Sequence, residues 1–303
     1  MQVCREVLPG KVRRKMEKKR LLIATDTFPP RVDGVSRFVT AIVPELKNEF
    51  DITILAPKFG KEMPVLPEFE GVEIIGFPVH KKMLGDFNLA APKISTIWKK
   101  VRESDIIFSQ SIAPIGIYSI ACARLLRKKI VIFTHVIEWQ VALKNVGFRG
   151  IMGSVTKFII ILLSRIIYGM CNLIITPSNE ISEIFSNRGI RTLKKVIPLG
   201  IDRKKFIPPK DRRLAKMGLG INPENIVVGY CGRLSKEKDL KTLNRAFRKV
   251  RKKNRNINLL VVGDGLEEIR RMFVGRTGVH FLGIVSNTVP YYQAMDIFVM
   301  PSL

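Results

Sequence analysis

Cysteine is scarce in this chain, and its spacing excludes two kinds of site. The 303 residues include four cysteines, and no two of them have the Cys-x-x-Cys spacing. Neither a zinc site nor a disulfide framework is indicated, and a reducing, cytoplasmic setting is expected. The four are Cys4, Cys122, Cys171 and Cys231.

Long hydrophobic runs are also missing. No stretch reaches the roughly 18 consecutive apolar residues that a membrane-spanning helix needs. Residues 1–19 form a basic tail, and no apolar segment of the signal-peptide kind follows it. Two interpretations of this tail stay open: a loose extension without a role of its own, or an electrostatic tether to anionic lipid.

Acidic residues are few relative to basic ones. The chain has 26 Asp and Glu against 52 Lys and Arg, a formal net charge of +26. Such a charge favours polyanionic partners, namely nucleic acid, an anionic membrane or phosphorylated substrates. An Asp-x-Asp motif is absent. We therefore expect no metal and no other cofactor.

The chain does contain enough apolar residues for about two domains, since 46% of it is hydrophobic. Short apolar runs alternate with helical patterns, which predicts an α/β fold with a parallel sheet and helices on both faces. A helix with Phe38, Ile42 and Leu46 on one face contains Pro44, which is expected to kink or restart it. The other predicted elements of this part are strands at 21–25, 52–56, 73–77, 106–109, 130–134 and 173–176, and helices at 114–129, 151–170 and 179–188.

A second series of strands and helices begins after residue 200. Residues 201–225 are basic and proline-containing, and we interpret them as the interdomain connection. Residues 20–200 and 226–303 are then predicted to be two Rossmann-like domains that face a cleft. The predicted strands of the second domain are 226–230, 258–262, 279–282 and 297–300, and its helices are 239–254, 266–274 and 288–295.

Residues 228–240 are the most informative segment. An apolar strand ends at Gly232, and Arg233 and Lys238 follow before a helix. Glycine lets the backbone approach an anion, and the two cations can neutralise it. The pattern favours a diphosphate bound at the carboxyl end of a sheet. A solvated basic loop is the alternative.

Several motifs in the same order resemble glycosyltransferase family 4, the retaining GT-B enzymes of glycosyltransferase group 1. The resemblance covers residues 20–303. It implies a GT-B fold whose second domain is incomplete here, because the family's Glu-x7-Glu motif would begin after Leu303. The motifs are residues 27–37, His135, residues 196–206, Gly232 to Lys238, residues 261–265 and residues 279–285.

The resemblance implies a retaining hexosyltransferase (EC 2.4 type) that uses a nucleoside-diphosphate sugar. Arg233 and Lys238 would stabilise the leaving diphosphate, and His135 would hydrogen-bond the transferred sugar. The remaining implied site residues are Gly34, Gly232, Asp264, Ile284 and Val285 for the donor and Arg37 on the acceptor side. Each also has a structural alternative: a strand cap for His135, a solvated helix position for Arg37, a turn for Asp264, and core for Ile284 and Val285.

Two interpretations of the whole chain stay open. It is either a fragment of a longer reading frame whose parent is the active transferase, or a non-catalytic, degenerate GT-B fragment that acts as a binding module.

The acceptor is indicated only by charge and by one helix. Residues 151–170 are apolar nearly all round, which predicts a core helix of the first domain; a helix in a membrane interface is the alternative. With the +26 charge, this indicates a membrane lipid or lipid-linked glycan as acceptor and peripheral contact with the anionic inner face of the cell membrane. Soluble sugar acceptors stay open.

A nucleic-acid partner is the remaining alternative, suggested by the basic run at 245–255. Its spacing places Leu243, Phe247 and Val250 on one helix face, which predicts a packed helix with a solvated basic side. No aromatic platform or nucleic-acid motif accompanies it. No nucleic-acid partner is therefore expected.

Overall fold

The computed structural model describes residues 18–31, 33–84, 87–135, 137, 139 and 150–302. Most of the predicted basic tail, 1–19, lies outside the described residues, as do Cys4 and Leu303. The chain divides into two compact units, Met1–Leu199 and Gly200–Leu303, called unit 1 and unit 2 below.

Unit 1 is built on an eight-stranded sheet. Its strands are β1 (Lys19–Ala24), β2 (Phe50–Lys58), β3 (Glu73–Leu84), β4 (Phe87–Ala90), β5 (Ile106–Ser109), β6 (Lys129–Phe133), β7 (Leu173–Thr176) and β8 (Lys194–Val196). Their order in the sheet is β4-β3-β2-β1-β5-β6-β7-β8. Neighbours are parallel except β3 and β4, which are antiparallel.

The helices of unit 1 begin at recognisable signals. They are α1 (Gly34–Leu46), α2 (Ile94–Glu103), α3 (Pro114–Leu125), α4 (Gly150–Gly169) and α5 (Asn179–Asn187). Asp33 caps α1, and Ser178 caps α5 as its position predicts. Pro44 lies inside α1, which continues to Leu46 without the predicted restart. It falls in the last turn, so only two more helical residues follow the one hydrogen bond that its missing N–H removes.

Apolar side chains lie on both faces of this sheet. In β1, Leu22 and Ala24 belong to one buried cluster, and Leu21 and Ile23 belong to a second. The first cluster includes residues of α2 and α3, and the second includes residues of α1. The predicted parallel sheet with both faces covered is thus confirmed.

Unit 2 is a smaller version of the same architecture. Its strands are β9 (Ile226–Cys231), β10 (Ile257–Val262), β11 (Val279–Phe281) and β12 (Ile297–Phe298), and its helices are α6 (Arg212–Met217), α7 (Leu240–Lys253), α8 (Glu267–Arg270) and α9 (Val289–Ala294). All four strands are parallel, in the order β11-β10-β9-β12. The predicted four-stranded α/β series is confirmed.

Each sheet has a point where the direction of winding reverses. In unit 1, β1 pairs with both β2 and β5, and in unit 2, β9 pairs with both β10 and β12. Open α/β sheets bind ligands outside the carboxyl ends of the strands at such a point. A ligand-binding site is therefore expected at the loops after β1, β5 and β9.

Several elements were missed or misjudged from the sequence. Helix α2, the hairpin strand β4 and the edge strand β8 were not predicted. β3 runs past the predicted end at 77, because its continuation pairs with β4. The segment 201–225, interpreted as the interdomain connection, contains α6, for which no helix was named from the sequence. In α7, Leu243 and Phe247 are buried as predicted, but Val250 is exposed.

Helix α4 differs most from its predicted role. One side packs into unit 1, where Ser164 and Tyr168 are buried. The opposite side is 43–68% exposed, so the prediction of a core helix is wrong there. Among the described residues, each face of the sheet is covered by one layer of helices, and packing on the sheet buries only one side of a helix that is apolar all round. The exposed side chains, called the α4 face below, are Val155, Phe158, Ile159, Leu162, Leu163 and Ile166.

Within the described part of the chain, no helix has the length and apolar character needed to cross a membrane.

A nearly buried lysine joins three segments of unit 2. The Lys216 ammonium lies 2.7 Å from Asp296 and donates to the backbone carbonyl of Asn225. Asp296 in turn accepts from the Val227 N–H at the start of β9. The side chain of Lys216 is only 7% exposed. Because a charge this deep needs its partners, the ion pair ties α6 to the start of the sheet.

We expect Lys216→Met to destabilise unit 2 by about 3 kcal/mol, because it leaves Asp296 without its closest cation. Arg213→Met is the matched control on the same helix. Arg213 also forms a 2.7 Å ion pair, with Glu224, but its side chain is 66% exposed. The control should cost less than about 1 kcal/mol.

Urea unfolding followed by circular dichroism measures both variants. Tryptophan fluorescence serves as an internal reference, since both tryptophans, Trp98 and Trp139, lie in unit 1. Equal losses in the two variants would contradict the role assigned to Lys216.

Candidate functional site

A largely buried carboxylate, that of Asp26, joins the carboxyl ends of β1 and β5. It accepts hydrogen bonds from the Ser111 hydroxyl at 2.6 Å and from the N–H groups of Ile115 and Gly116 at 2.9 and 3.1 Å. Burial raises the pKa of Asp26, and these three hydrogen bonds oppose the rise. Ile115 and Gly116 open α3, so Asp26 fixes the loop after β1 against the start of that helix.

His135 follows β6 at the same edge of the sheet. Its ring packs against Phe38 of α1 and Phe133 of β6, with centroids 4.9 and 4.6 Å away. Burial lowers the pKa of His135 to about 4, and the nearby charge of Asp33 acts in the opposite direction. The imidazole is therefore neutral near pH 7 and offers hydrogen bonds rather than charge.

Gln110, the residue after β5, faces this imidazole. Its Oε1 lies 3.1 Å from His135 Nε2, and its own Nε2 is buried with no partner among the described residues. In this orientation His135 Nε2 carries the proton and Nδ1 is an acceptor. A buried amide donor without a partner costs about 1–3 kcal/mol. Such a group marks a position where a ligand can complete the hydrogen bonds.

The start of α1 lies beside His135. Asp33 accepts hydrogen bonds from the Thr27 hydroxyl and the Ser36 N–H, at 2.8 and 2.9 Å. Gly34, the first residue of α1, is exposed, and its N–H has no hydrogen-bond partner in the described part of the chain. A Cβ on Gly34 would meet nothing within 4 Å. The fold therefore leaves an accessible N–H at a helix N-terminus here.

Arg37 projects from the exposed side of α1 and has no ion-pair partner among the described residues. The structure thus brings Gly34 and His135 into one neighbourhood and places Arg37 one turn along the same helix.

In unit 2 the ends of β9 and β10 approach too closely for side chains. A Cβ on Gly263 would lie 2.0 Å from the carbonyl oxygen of Gly232. A Cβ on Gly265 would lie 2.3 Å from the carbonyl oxygen of Leu234. The end of β11 joins them, because the Gly263 N–H donates to the Gly283 carbonyl at 2.7 Å. Bare backbone therefore lines the carboxyl ends of adjacent strands.

Arg233 follows Gly232 and is held by a residue that the sequence did not indicate. Its Nη2 lies 3.0 Å from Glu237 Oε1, and both side chains are more than a third exposed. The Tyr230 hydroxyl donates to the Arg233 carbonyl at 2.7 Å and fixes the loop. An ion pair this exposed is weak. A diphosphate, which offers stronger bidentate contacts, can displace Glu237.

Lys238 lies on the same loop, in a 3-10 turn that leads into α7. Its ammonium has no ion-pair or hydrogen-bond partner among the residues that the structure describes. Arg233, which is paired with Glu237, and Lys238 thus place positive charge on the loop that follows Gly232.

The other predicted donor residues lie in three different environments: a turn, an exposed position and a partly buried one. Asp264 Oδ1 accepts from the Gly265 N–H at 2.8 Å, and its carbonyl accepts from Leu234, so it makes the turn after β10. Ile284 is 74% exposed and is not a core residue. Val285 packs partly against a buried cluster. Within the described residues, no group of three or more metal-ligating side chains occurs.

Two protein families match the chain. Residues 32–205 match the family described as Glycosyltransferase Family 4, and residues 225–303 match that described as Glycosyl transferases group 1. The chain belongs to Glycosyltransferase Family 4.

Similar proteins of known activity include two lipid glycosyltransferases. The alpha-monoglucosyldiacylglycerol synthase of Streptococcus pneumoniae is 26% identical over 93% of this chain and 66% of its own length. A GDP-mannose-dependent alpha-(1-6)-phosphatidylinositol monomannoside mannosyltransferase of Mycolicibacterium smegmatis is 27% identical over 93% of this chain and 72% of its own length. This family 4 chain thus spans about two thirds of the length of these relatives.

Solved structures show the same fold. Anabaena HepE in complex with UDP and glucose matches 94% of this chain and 74% of its own, with a TM-score of 0.68 and 20% identity. Sucrose-phosphate synthase from Thermosynechococcus elongatus matches with a TM-score of 0.67 and 18% identity. These neighbours are GT-B glycosyltransferases, which confirms the predicted fold class.

Three residues of the candidate site were not predicted from the sequence: Asp26, Gln110 and Glu237. Asp26 and Gln110 carry a usable signal, because each polar side chain comes directly at the end of a buried strand. Glu237 carries none, since an acidic residue within a basic loop reads as ordinary solvated charge.

The pKa of His135 predicts how the stability of unit 1 depends on pH. An unfolded histidine takes up a proton below about pH 6.5, whereas folded His135 stays neutral down to about pH 4. Folding is therefore disfavoured as pH falls through this window, by about 3 kcal/mol once the pH is below both values. His135→Gln keeps a hydrogen-bonding side chain and should lose less stability between pH 7 and pH 4.

Tryptophan fluorescence during urea unfolding reads out unit 1 at each pH. Parallel losses of stability in wild type and His135→Gln would refute this assignment.

Proposed function

We propose that this chain provides the donor site and part of the acceptor side of a retaining hexosyltransferase. It moves a hexosyl group from a nucleoside-diphosphate sugar to a membrane lipid or lipid-linked glycan. The observation that carries the proposal is the bare backbone at Gly232 and Gly263 with Arg233 beside it, in a chain of Glycosyltransferase Family 4.

The donor diphosphate lies against the ends of β9 and β10 in this proposal. Gly232 and Gly263 permit close approach of its oxygens, and Arg233 leaves Glu237 to bind them. Lys238 supplies a second positive charge. Departure of a nucleoside diphosphate concentrates negative charge on phosphate oxygens, so preorganised cations lower the barrier. The proposed reaction needs no metal ion, because these side chains carry the required charge.

His135 contributes a hydrogen bond to the transferred sugar rather than a proton transfer. Its pKa of about 4 makes it neutral and a weak base at pH 7. Gln110 fixes which ring nitrogen carries the proton. The N–H of Gly34 at the start of α1 is proposed to donate to a donor phosphate, with Arg37 on the acceptor side.

The acceptor class is supported by the names of the relatives. One is a synthase of a glucosyldiacylglycerol, and another transfers mannose to a phosphatidylinositol mannoside. Their sugars differ, so both UDP-glucose and GDP-mannose are donors to test. Retention of configuration is proposed from family membership, and peripheral contact with the inner face of the membrane follows from a lipid acceptor.

Arg233→Ala should weaken nucleoside-diphosphate binding by roughly 30-fold, because about 2 kcal/mol of charge-assisted hydrogen bonding is lost. Lys236→Ala is the control. Lys236 is an exposed cation in the same turn as Lys238, and its loss should change affinity no more than about twofold. Calorimetric titration with UDP, GDP and ADP gives both values.

Absence of binding by wild type to any of these nucleotides and their sugars would overturn the donor site. Binding without transfer to diacylglycerol or phosphatidylinositol acceptors would favour the binding module over the enzyme.

Gly34→Ala separates folding from catalysis. Because its Cβ meets nothing in the protein, the free energy of unfolding should stay within about 0.5 kcal/mol of wild type. Transfer should nevertheless fall about tenfold or more, since the methyl group would crowd the donor. Gly60→Ala is the matched control, an exposed loop glycine whose Cβ would make only a 3.8 Å contact.

Transfer is measured as release of nucleoside diphosphate in the presence of lipid acceptor. Full activity in Gly34→Ala would show that no ligand approaches this residue closely.

A further inference from the structure

The α4 face continues into an open pocket of about 870 Å³ in unit 1. Leu162 and Ile166 of the α4 face line it together with Leu193, and two arginines, Arg165 and Arg191, complete its rim. None of the lining residues is acidic, and α4 itself contains no Asp or Glu. Apolar surface and positive charge therefore meet at this place without a neutralising carboxylate.

Both guanidinium groups are available to a ligand. Neither Arg165 nor Arg191 has an ion-pair or hydrogen-bond partner among the described residues, and both are exposed. The Arg165 guanidinium lies against Gly189, where a Cβ would come within 3.1 Å. An amphiphile with an anionic head has the chemistry that complements such a surface.

This pocket lies at the opposite edge of the sheet from His135. Cys171 and Asn172 of the pocket precede β7, and Leu193 precedes β8. His135 instead follows β6, which is parallel to β7. The pocket is thus at the amino ends of strands and is separate from the sugar-transfer site proposed above.

We propose that the α4 face and the Arg165–Arg191 pocket form a docking surface for a bilayer that contains anionic phospholipid. Lipid phosphates bind at the two arginines, and the α4 face enters the interface between head groups and acyl chains. The six apolar side chains lie within 12 consecutive residues, which is about 17 Å of helix. The helix therefore lies along the membrane surface, and the +26 charge of the chain draws it there.

The proposal rests on the proposed function only for its purpose, which is to hold the chain at the bilayer that contains the lipid acceptor. Vesicle binding is measured without donor or acceptor turnover, so the two can fail separately. The first measurement is co-sedimentation of the full chain with phosphatidylcholine vesicles, with and without phosphatidylglycerol. Binding should require phosphatidylglycerol and weaken as salt is added.

The charge test replaces the two pocket arginines. Arg165→Gln with Arg191→Gln should weaken binding to phosphatidylglycerol vesicles by about 30-fold, from about fivefold for each cation near the surface. Lys61→Gln with Lys99→Gln removes the same charge from two other exposed positions of unit 1. This control should lose less than about threefold, through the long-range field alone.

The apolar test replaces two side chains of the α4 face. Leu162→Ser with Ile166→Ser should reduce binding by about tenfold or more, because their apolar area no longer leaves water. Val65→Ser with Ile94→Ser is the control, since Val65 and Ile94 are 97% and 53% exposed at other places. Unfolding curves and nucleoside-diphosphate affinity should match wild type in all four variants.

Three outcomes would overturn the proposal. One is equal loss of binding in the arginine variant and its lysine control. Another is vesicle binding that is unchanged in Leu162→Ser with Ile166→Ser. The third is a wild-type dimer in solution that this apolar variant converts to a monomer, because a second copy would then cover the α4 face.

Discussion

Each unit depends on one strand that pairs in parallel with a neighbour on each side. From that strand the chain winds outward in opposite directions. Around β1 and around β9 this winding forces loops to diverge, so side chains from different parts of the chain meet at one edge. The two units use that edge differently. In unit 1 the polar side chains of Asp26, Gln110 and His135 lie at this edge. In unit 2 glycine backbone lines this edge of the sheet, because the contact between Gly263 and Gly232 leaves no room for a Cβ.

Much of this architecture could be predicted from the sequence because buried parallel strands are short, continuous apolar runs. β1, β7 and β10 are of this kind, and their positions were predicted to within a residue or two. β8 was missed because it is short and at most half-buried, so its composition carries little signal. α2 does carry a signal that was overlooked, because Ile94, Ile97, Trp98 and Val101 recur at helical spacing. The role of α4 was misjudged for a different reason. A uniformly apolar helix has the same pattern whether one side or both are buried, and only the number of packed layers decides between them.

The residues of the candidate site also differ in whether the sequence could predict their roles. Gly232, Arg233 and Lys238 could be predicted since glycine before cations at a strand end has a direct chemical meaning. Glu237 could not, because its effect depends on a 3.0 Å contact rather than on its position in a motif. The Arg233 guanidinium therefore has two alternative partners, the Glu237 carboxylate and the diphosphate of a bound ligand. The role of Gln110 could not be predicted either, because it depends on the contact between its amide and the His135 imidazole.

The edge strand β8 has a further effect through its composition. It is three residues long and carries Lys194 and Lys195, of which Lys194 folds back onto the carbonyl of Thr192. A short edge with like charges does not template strand addition from a second molecule. When many copies of this chain bind to one surface, the β8 edges of neighbouring copies meet more often. Two lysines at the rim of the large sheet make such encounters repulsive, so crowding at that edge need not lead to aggregation.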